Sequence, residues 1–121
     1  MAIHDQLPIH RTGVQLLTLA VRAQEQMPRG MKHILGAKIA DHCVEMLDRM
    51  AMANATQKAA RAAHIAELLS EQRATTILLR VAFDARYMSP KMWGEAVELL
   101  HSIGAQAGGW LKKTTNRAPA V

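Results

Sequence analysis

Apolar residues recur at intervals of three and four along most of the chain, which is the period of one face of an α-helix. The pattern is interrupted at residues 28–30, 54–56 and 87–90, where proline, glycine and small polar residues gather. The interruptions divide the chain into four predicted helices, at about 11–26, 32–53, 57–86 and 89–114. No segment shows the alternation of a β-strand. We therefore predict one all-α domain over residues 1–121, an up-down-up-down four-helix bundle.

The fourth segment carries the strongest helix signals. Ser89 is placed as an N-cap, and Pro90 takes the first helical position, where its missing N–H removes no helical bond. Further along, Gly104 and Gly108 share a face that borders Trp110. Because a helical glycine costs about 1 kcal/mol against alanine, we interpret this face as a close contact, either inside the bundle or between subunits.

Composition narrows the class of protein. The 121-residue chain is 50% hydrophobic but only 3% aromatic, so aliphatic side chains, alanine and methionine must fill the core. Its single cysteine, Cys43, allows neither an intrachain disulfide nor a cysteine zinc cluster. The N-terminus lacks a signal-peptide pattern, and no apolar run is long enough to span a bilayer. We expect a cytoplasmic protein that is not in the membrane.

Catalytic and metal-binding patterns are weak. Glu98 and His101 form a Glu-x-x-His pair, but the di-iron sites of helical bundles need two such pairs and two further glutamates. The six histidines show no zincin spacing, and the sequence has neither a phosphate-binding glycine loop nor a Gly-x-Ser-x-Gly motif. A buried free cysteine usually behaves as a small hydrophobe. We expect no enzyme, no metal site and no cofactor.

The basic residues give a better functional signal. The formal charge of +5, from 15 Lys and Arg against 10 Asp and Glu, suits a polyanionic partner. Arg73 and Arg80 lie two turns apart on one face of the third helix, whereas Lys112, Lys113 and Arg117 form a cationic C-terminal end. The alternatives are a solvated helix face for the first group and complementation of the helix dipole for the second.

The last helix also carries a recognisable series of residues. It reads Met88-Ser89-Pro90, Ala96, Leu99, Ile103-Gly104, Gly108 and Trp110-Leu111, and a basic tail follows. This series resembles the C-terminal helix of the accessory variability determinant (Avd) proteins of diversity-generating retroelements. The Avd proteins are relatives of the four-helix proteins encoded in intervening sequences of 23S ribosomal RNA genes. The segment LLRVAF resembles the Avd third helix, with Arg80 at a position that is basic in the family. A second arginine of that helix is replaced here by Thr76, and Arg73 is the candidate substitute.

The resemblance implies a ring of five four-helix bundles around a central channel, with a positive surface that binds DNA or RNA and a reverse transcriptase. Five copies of +5 would give +25 per ring. We expect a non-enzymatic accessory protein whose phosphate contacts are made by Arg73, Arg80, Lys112, Lys113 and Arg117. The close-packed face would comprise Gly104, Gly108 and Trp110. The alternatives are a ring of the intervening-sequence type that binds only protein partners and a metalloenzyme using Glu98 and His101.

Overall fold

A computed structural model describes residues 7–116 of the chain. Within that range the protein consists of four long helices and contains no β-strand. Helix α1 spans Pro8–Gln26, α3 spans Lys58–Asp84 and α4 spans Pro90–Asn116. Helix α2 begins with one turn at Arg29–Met31, passes through a π-helical turn at Lys32–Gly36 and continues over Ala37–Ala55. The prediction of an all-α four-helix bundle is confirmed.

The four helices pack as neighbours around a closed square. Helix α1 packs against α2 and α4, and α3 packs against the same two helices. Because each connection is short, successive helices run in opposite directions. One end of the bundle, the connection end, carries the links at residues 26–33 and 84–91. The other end, the terminal end, brings together the start of α1, the link at residues 53–61 and the end of α4.

The helix limits reflect local chemistry. Helix α1 begins at Pro8, three residues before the predicted start, because proline suits the first turn of a helix, whose N–H groups have no intrahelical partner. Two residues beyond the end of helix α3, Arg86 adopts a left-handed conformation with φ 66°. The Arg86 N–H donates to the Phe83 carbonyl and the Tyr87 N–H donates to the Ala82 carbonyl, both at 2.9 Å. This is a Schellman cap with arginine where glycine is usual.

The core is aliphatic, as the composition predicts. Its largest fully buried hydrophobic side chains are Leu16, Leu19, Ile39, Met46, Met50, Ile65, Leu68, Leu79 and Ile103. The buried Thr75 hydroxyl donates to the Glu71 carbonyl at 2.8 Å, so this polar group is satisfied. Cys43 lies in the same core, where burial raises the pKa of its thiol to about 12. The thiol is therefore protonated at neutral pH and unsuited to nucleophilic attack.

Two glycines sit at close internal contacts of the described chain. A Cβ at Gly13 of α1 would lie 2.7 Å from Cδ2 of Leu47 in α2. A Cβ at Gly36, in the π turn, would lie 2.5 Å from Cγ of Gln24. The Gln24 amide nitrogen in turn donates to the Lys32 carbonyl at 2.8 Å, which ties α1 to the π turn. These contacts fix how closely α1 approaches α2.

Candidate nucleic-acid interface

The two predicted arginines of α3 are exposed but differ in their partners. Arg80 donates from Nε to the Asp84 carboxylate at 3.1 Å, one helical turn away. Both side chains of this pair are about three-fifths exposed, and such surface pairs are worth ~0–1 kcal/mol. Arg73 has no acidic partner among residues 7–116. Arg73 is therefore available for a contact with a phosphate. At Arg80 a phosphate would have to compete with the Asp84 carboxylate.

Arg80 borders a groove of about 580 Å³ between α3 and α4. The apolar side chains that line it include Ile77, which is 65% exposed, together with Val81 and Val97. Trp93 also lines it. Adjacent exposed apolar side chains in a groove mark an interaction surface. The sequence signal for this groove was the set of apolar residues that fall outside the core stripe of each helix.

The predicted C-terminal cations lie at the opposite end of the bundle from Arg80. Lys112 and Lys113 are exposed on the last turns of α4, and Arg117 lies outside the described residues. Arg61 of α3 is in contact with Trp110 of α4, so these positions are level in the two antiparallel helices. Arg80 lies nineteen residues beyond Arg61, or about 28 Å along the helix axis. The structure therefore places the predicted cations in two separate groups.

Trp110 belongs to the packing of the terminal end. The Arg61 guanidinium carbon lies 5.8 Å from the centroid of the Trp110 ring, which is a cation–π contact. The same guanidinium donates to the Ala53 carbonyl at 2.9 Å and the Asn54 carbonyl at 3.4 Å. Arg61 thus caps the end of α2 and connects it to α4. Sequence reasoning missed this residue, although a cation that follows the end of α2 was a signal for such a cap.

The glycines of α4 differ in what they face. A Cβ at Gly104 would lie 3.4 Å from the Gln72 amide nitrogen, an ordinary contact. That nitrogen donates to the Leu100 carbonyl at 3.0 Å, so Gly104 provides a flat surface against which the Gln72 side chain lies. A Cβ at Gly108 would meet no atom of the described chain within 4 Å. Packing within the described chain therefore explains Gly104 but does not explain Gly108. A contact between Gly108 and another subunit stays a prediction.

Most cations of the described chain have no acidic partner. Ion pairs between oppositely charged side chains use Arg22, Arg49 and Arg80. The cations seen without an acidic partner within residues 7–116 are Arg29, Lys32, Lys38, Lys58, Arg61, Arg73, Arg86, Lys91, Lys112 and Lys113. Sequence reasoning missed the connection-end members of this set, because the two links come to the same end of the bundle only when the helices pack in alternating directions. Among residues 7–116, basic side chains therefore outnumber acidic ones at both ends of the bundle.

The weak metal pattern gains no support from the fold. Glu98 and His101 are exposed on α4, and no group of three His, Cys, Asp or Glu side chains within residues 7–116 could hold a metal ion. His42 contacts Glu71 instead, across the α2–α3 seam. Arg49 bridges Glu67 at 3.0 Å along the same seam. These polar side chains join two helices. None of the helices in the described range is long and apolar enough to cross a membrane.

A family model described as bAvd-like matches residues 8–114, which include nearly all of the four helices. The chain belongs to the bAvd-like family. The match confirms the resemblance to Avd proteins drawn from the last helix, and the Avd-like family is an accessory, non-catalytic one. Comparisons with curated proteins and with solved structures find no match.

The resemblance places a second family arginine at the position of Thr76, and the structure shows where Thr76 and its candidate substitute, Arg73, lie. Thr76, which stands at that position, is half-buried, and its hydroxyl donates to the Gln72 carbonyl at 2.8 Å. It lines the α3–α4 groove and offers no cation. Arg73, one turn earlier, is exposed. Arg73 is thus the exposed basic side chain of α3 nearest to this position on its N-terminal side.

Proposed function

We propose that this Avd-like protein is a non-enzymatic accessory protein that binds nucleic acid through phosphate contacts and also binds a reverse transcriptase. It acts as a homopentamer in the cytoplasm. Family membership supports the accessory role. The observation that carries nucleic-acid binding is that three of the predicted phosphate contacts, Arg73, Lys112 and Lys113, are exposed and have no acidic partner in the described chain. Cations that stabilised the fold through ion pairs would instead lie beside carboxylates, as Arg49 lies beside Glu45 and Glu67.

The contacts would be to the backbone of the nucleic acid. Arg73, Arg80, Lys112 and Lys113 are exposed on helix surfaces, where their charges can contact the phosphates of a nucleic acid. Contacts of this kind position a polyanion without reading sequence. The distance along the axis from Arg80 to the level of Trp110, ~28 Å, corresponds to about eight nucleotides of one strand at ~3.4 Å each. One strand could therefore run along the bundle and touch both groups.

The apolar α3–α4 groove supports a protein partner in addition. Its exposed Ile77, Val81 and Val97 give a surface that water solvates poorly and that a neighbouring subunit or a reverse transcriptase would cover. The same groove supports the second candidate function, a ring that binds only protein partners. Under that function the positive charge would serve solubility.

Charge-neutralising variants test the phosphate contacts. The pairs Arg73→Gln, Arg80→Gln and Lys112→Gln, Lys113→Gln each remove two predicted contacts. A control pair, Arg22→Gln with Lys38→Gln, removes two exposed cations that are not in the predicted site. Binding of duplex DNA and of structured RNA is measured across a salt series.

We expect each site pair to lower the salt slope by about two, at one unit per phosphate contact, on every sequence tested. The control pair should change the slope much less. A site pair that binds like the control pair would show that its residues were wrongly assigned. Wild-type protein that binds no nucleic acid at low salt would favour the ring that binds only proteins.

A further inference from the structure

A groove of about 410 Å³ lies at the terminal end, between the start of α1 and the last turns of α4. Pro8 lines one side of it, and Gly109, Trp110 and Lys113 line the other. The volume falls within the ~300–1,000 Å³ of small-ligand sites. The groove thus combines an aromatic ring with a cation.

Within the described residues, the segments that surround this groove contain cations and no acids. The segments 7–11, 53–61 and 105–116, which meet at the terminal end, include no aspartate or glutamate. Their basic residues are Arg11, Lys58, Arg61, Lys112 and Lys113. The contact of Arg61 with Trp110 and its bond to the Ala53 carbonyl show that α2, α3 and α4 meet here. The described residues around the groove, among them Lys58, Lys112 and Lys113, therefore contribute a positive potential.

We propose that this groove binds an unpaired nucleotide of a single-stranded nucleic acid. The base packs against the Trp110 ring, and the flanking phosphates contact Lys112 and Lys113. The proposal rests on the proposed function, since it assumes that the protein binds nucleic acid. It adds the class of substrate, because an aromatic platform within a cationic surface is the combination that binds single strands. In a duplex the bases are stacked inside and would leave the ring unused.

Gly109 leaves the groove open on the side of α4. A Cβ built at this position meets no atom within 4 Å, so packing within the described chain does not require glycine here. A large side chain at Gly109 would instead project into the space that lines Trp110. Gly109→Leu is therefore a variant that fills the groove while it leaves the cations in place. Gly94→Leu is the matched control, because Gly94 is equally open and lies near the other end of α4.

Tryptophan fluorescence reports on the proposed contact directly. Trp93→Phe leaves Trp110 as the single tryptophan and retains a ring to stack on Phe83, whose centroid lies 5.2 Å from that of Trp93. This protein is titrated at low salt with an oligothymidylate, with an abasic sugar-phosphate oligomer of equal length and with a blunt duplex. Affinities are measured in parallel by anisotropy of labelled oligomers.

We expect the oligothymidylate to quench Trp110 and the abasic oligomer to bind without quenching. Gly109→Leu should remove the quenching and weaken oligothymidylate binding about tenfold, the size expected for one stacked base. The same variant should leave abasic affinity unchanged, and Gly94→Leu should behave as the parent protein. If Gly109→Leu does not fold, Ala105→Leu fills the same groove from the preceding turn.

Three results would overturn the proposal. They are oligothymidylate binding without quenching, equal quenching by the abasic oligomer, and a folded groove-filling variant that binds both oligomers as its parent does. In each case the proposed function survives as long as the oligomers or the duplex bind in a salt-dependent way. If no nucleic acid binds the parent protein at low salt, the proposed function fails together with this inference.

Discussion

Gly36→Ala should destabilise the fold, although alanine is the better helix former. The new Cβ would lie 2.5 Å from Gln24 Cγ and 3.1 Å from Gln24 Cβ. Because the clash reaches the stem of the side chain, Gln24 must leave its position and lose its bond to the Lys32 carbonyl. Overpacking costs ~1–3 kcal/mol and the lost hydrogen bond ~1 kcal/mol, against a gain of ~1 kcal/mol in helix propensity. The expected net loss is about 1–3 kcal/mol.

The assay is urea unfolding followed by far-ultraviolet circular dichroism at one fixed protein concentration, since any assembly would make stability depend on concentration. Gly109→Ala is the control, because a Cβ there meets nothing and should raise the free energy of unfolding by ~1 kcal/mol. In a Gln24→Ala background the Gly36→Ala penalty should largely disappear, which gives a coupling of ~1 kcal/mol or more. The reasoning fails if Gly36→Ala is as stable as Gly109→Ala with an unchanged urea dependence.

Three further predictions follow from the described side chains. Arg86→Gly should raise the free energy of unfolding by about 1 kcal/mol, because glycine adopts φ 66° without the strain of a β-carbon; equal stability of this variant and Arg86→Ala in urea would contradict it. Gly108→Ala should leave the monomer fold intact but lower the molar mass measured by light scattering, if Gly108 lies at a subunit contact; an unchanged mass with higher stability would remove that role. Native Cys43 should not react with a thiol reagent at pH 8 until the protein unfolds, because burial holds its pKa near 12; rapid labelling of folded protein would contradict this.

The fold could be predicted from the sequence because its signals are local. The apolar period of each helix, and the Ser89–Pro90 start of α4, depend on residues within a few turns of one another. The Ser89 hydroxyl indeed accepts from the Met92 N–H at 3.1 Å, as an N-cap does. The π turn at Lys32–Gly36 was not predictable in this way. The Lys32 carbonyl in this turn accepts a hydrogen bond from the side-chain amide of Gln24, which lies in another helix, α1.

The candidate site was only partly predictable for the same reason. The exposure of Arg73 and Arg80 follows from the helical period, and helical spacing already placed Gly104 beside Trp110. The role of Arg61 depends on three helices meeting, as does the grouping of cations around Trp110 within residues 7–116. The sequence already separated Arg73 and Arg80 from the cations at the C-terminal end, but the distance between Arg80 and the level of Trp110, ~28 Å along the axis, depends on the antiparallel packing of α3 and α4.

The central claim is that an assembled, cation-rich Avd-like bundle binds nucleic acid through phosphates. The most direct measurement is binding of wild-type protein to labelled duplex DNA and structured RNA across a salt series, with the molar mass of the same sample taken by light scattering. We predict a pentameric mass and an affinity whose logarithm falls steeply and linearly with the logarithm of salt concentration. A pentamer that binds neither nucleic acid at low salt would contradict the claim. It would favour the alternative, a ring that binds only protein partners.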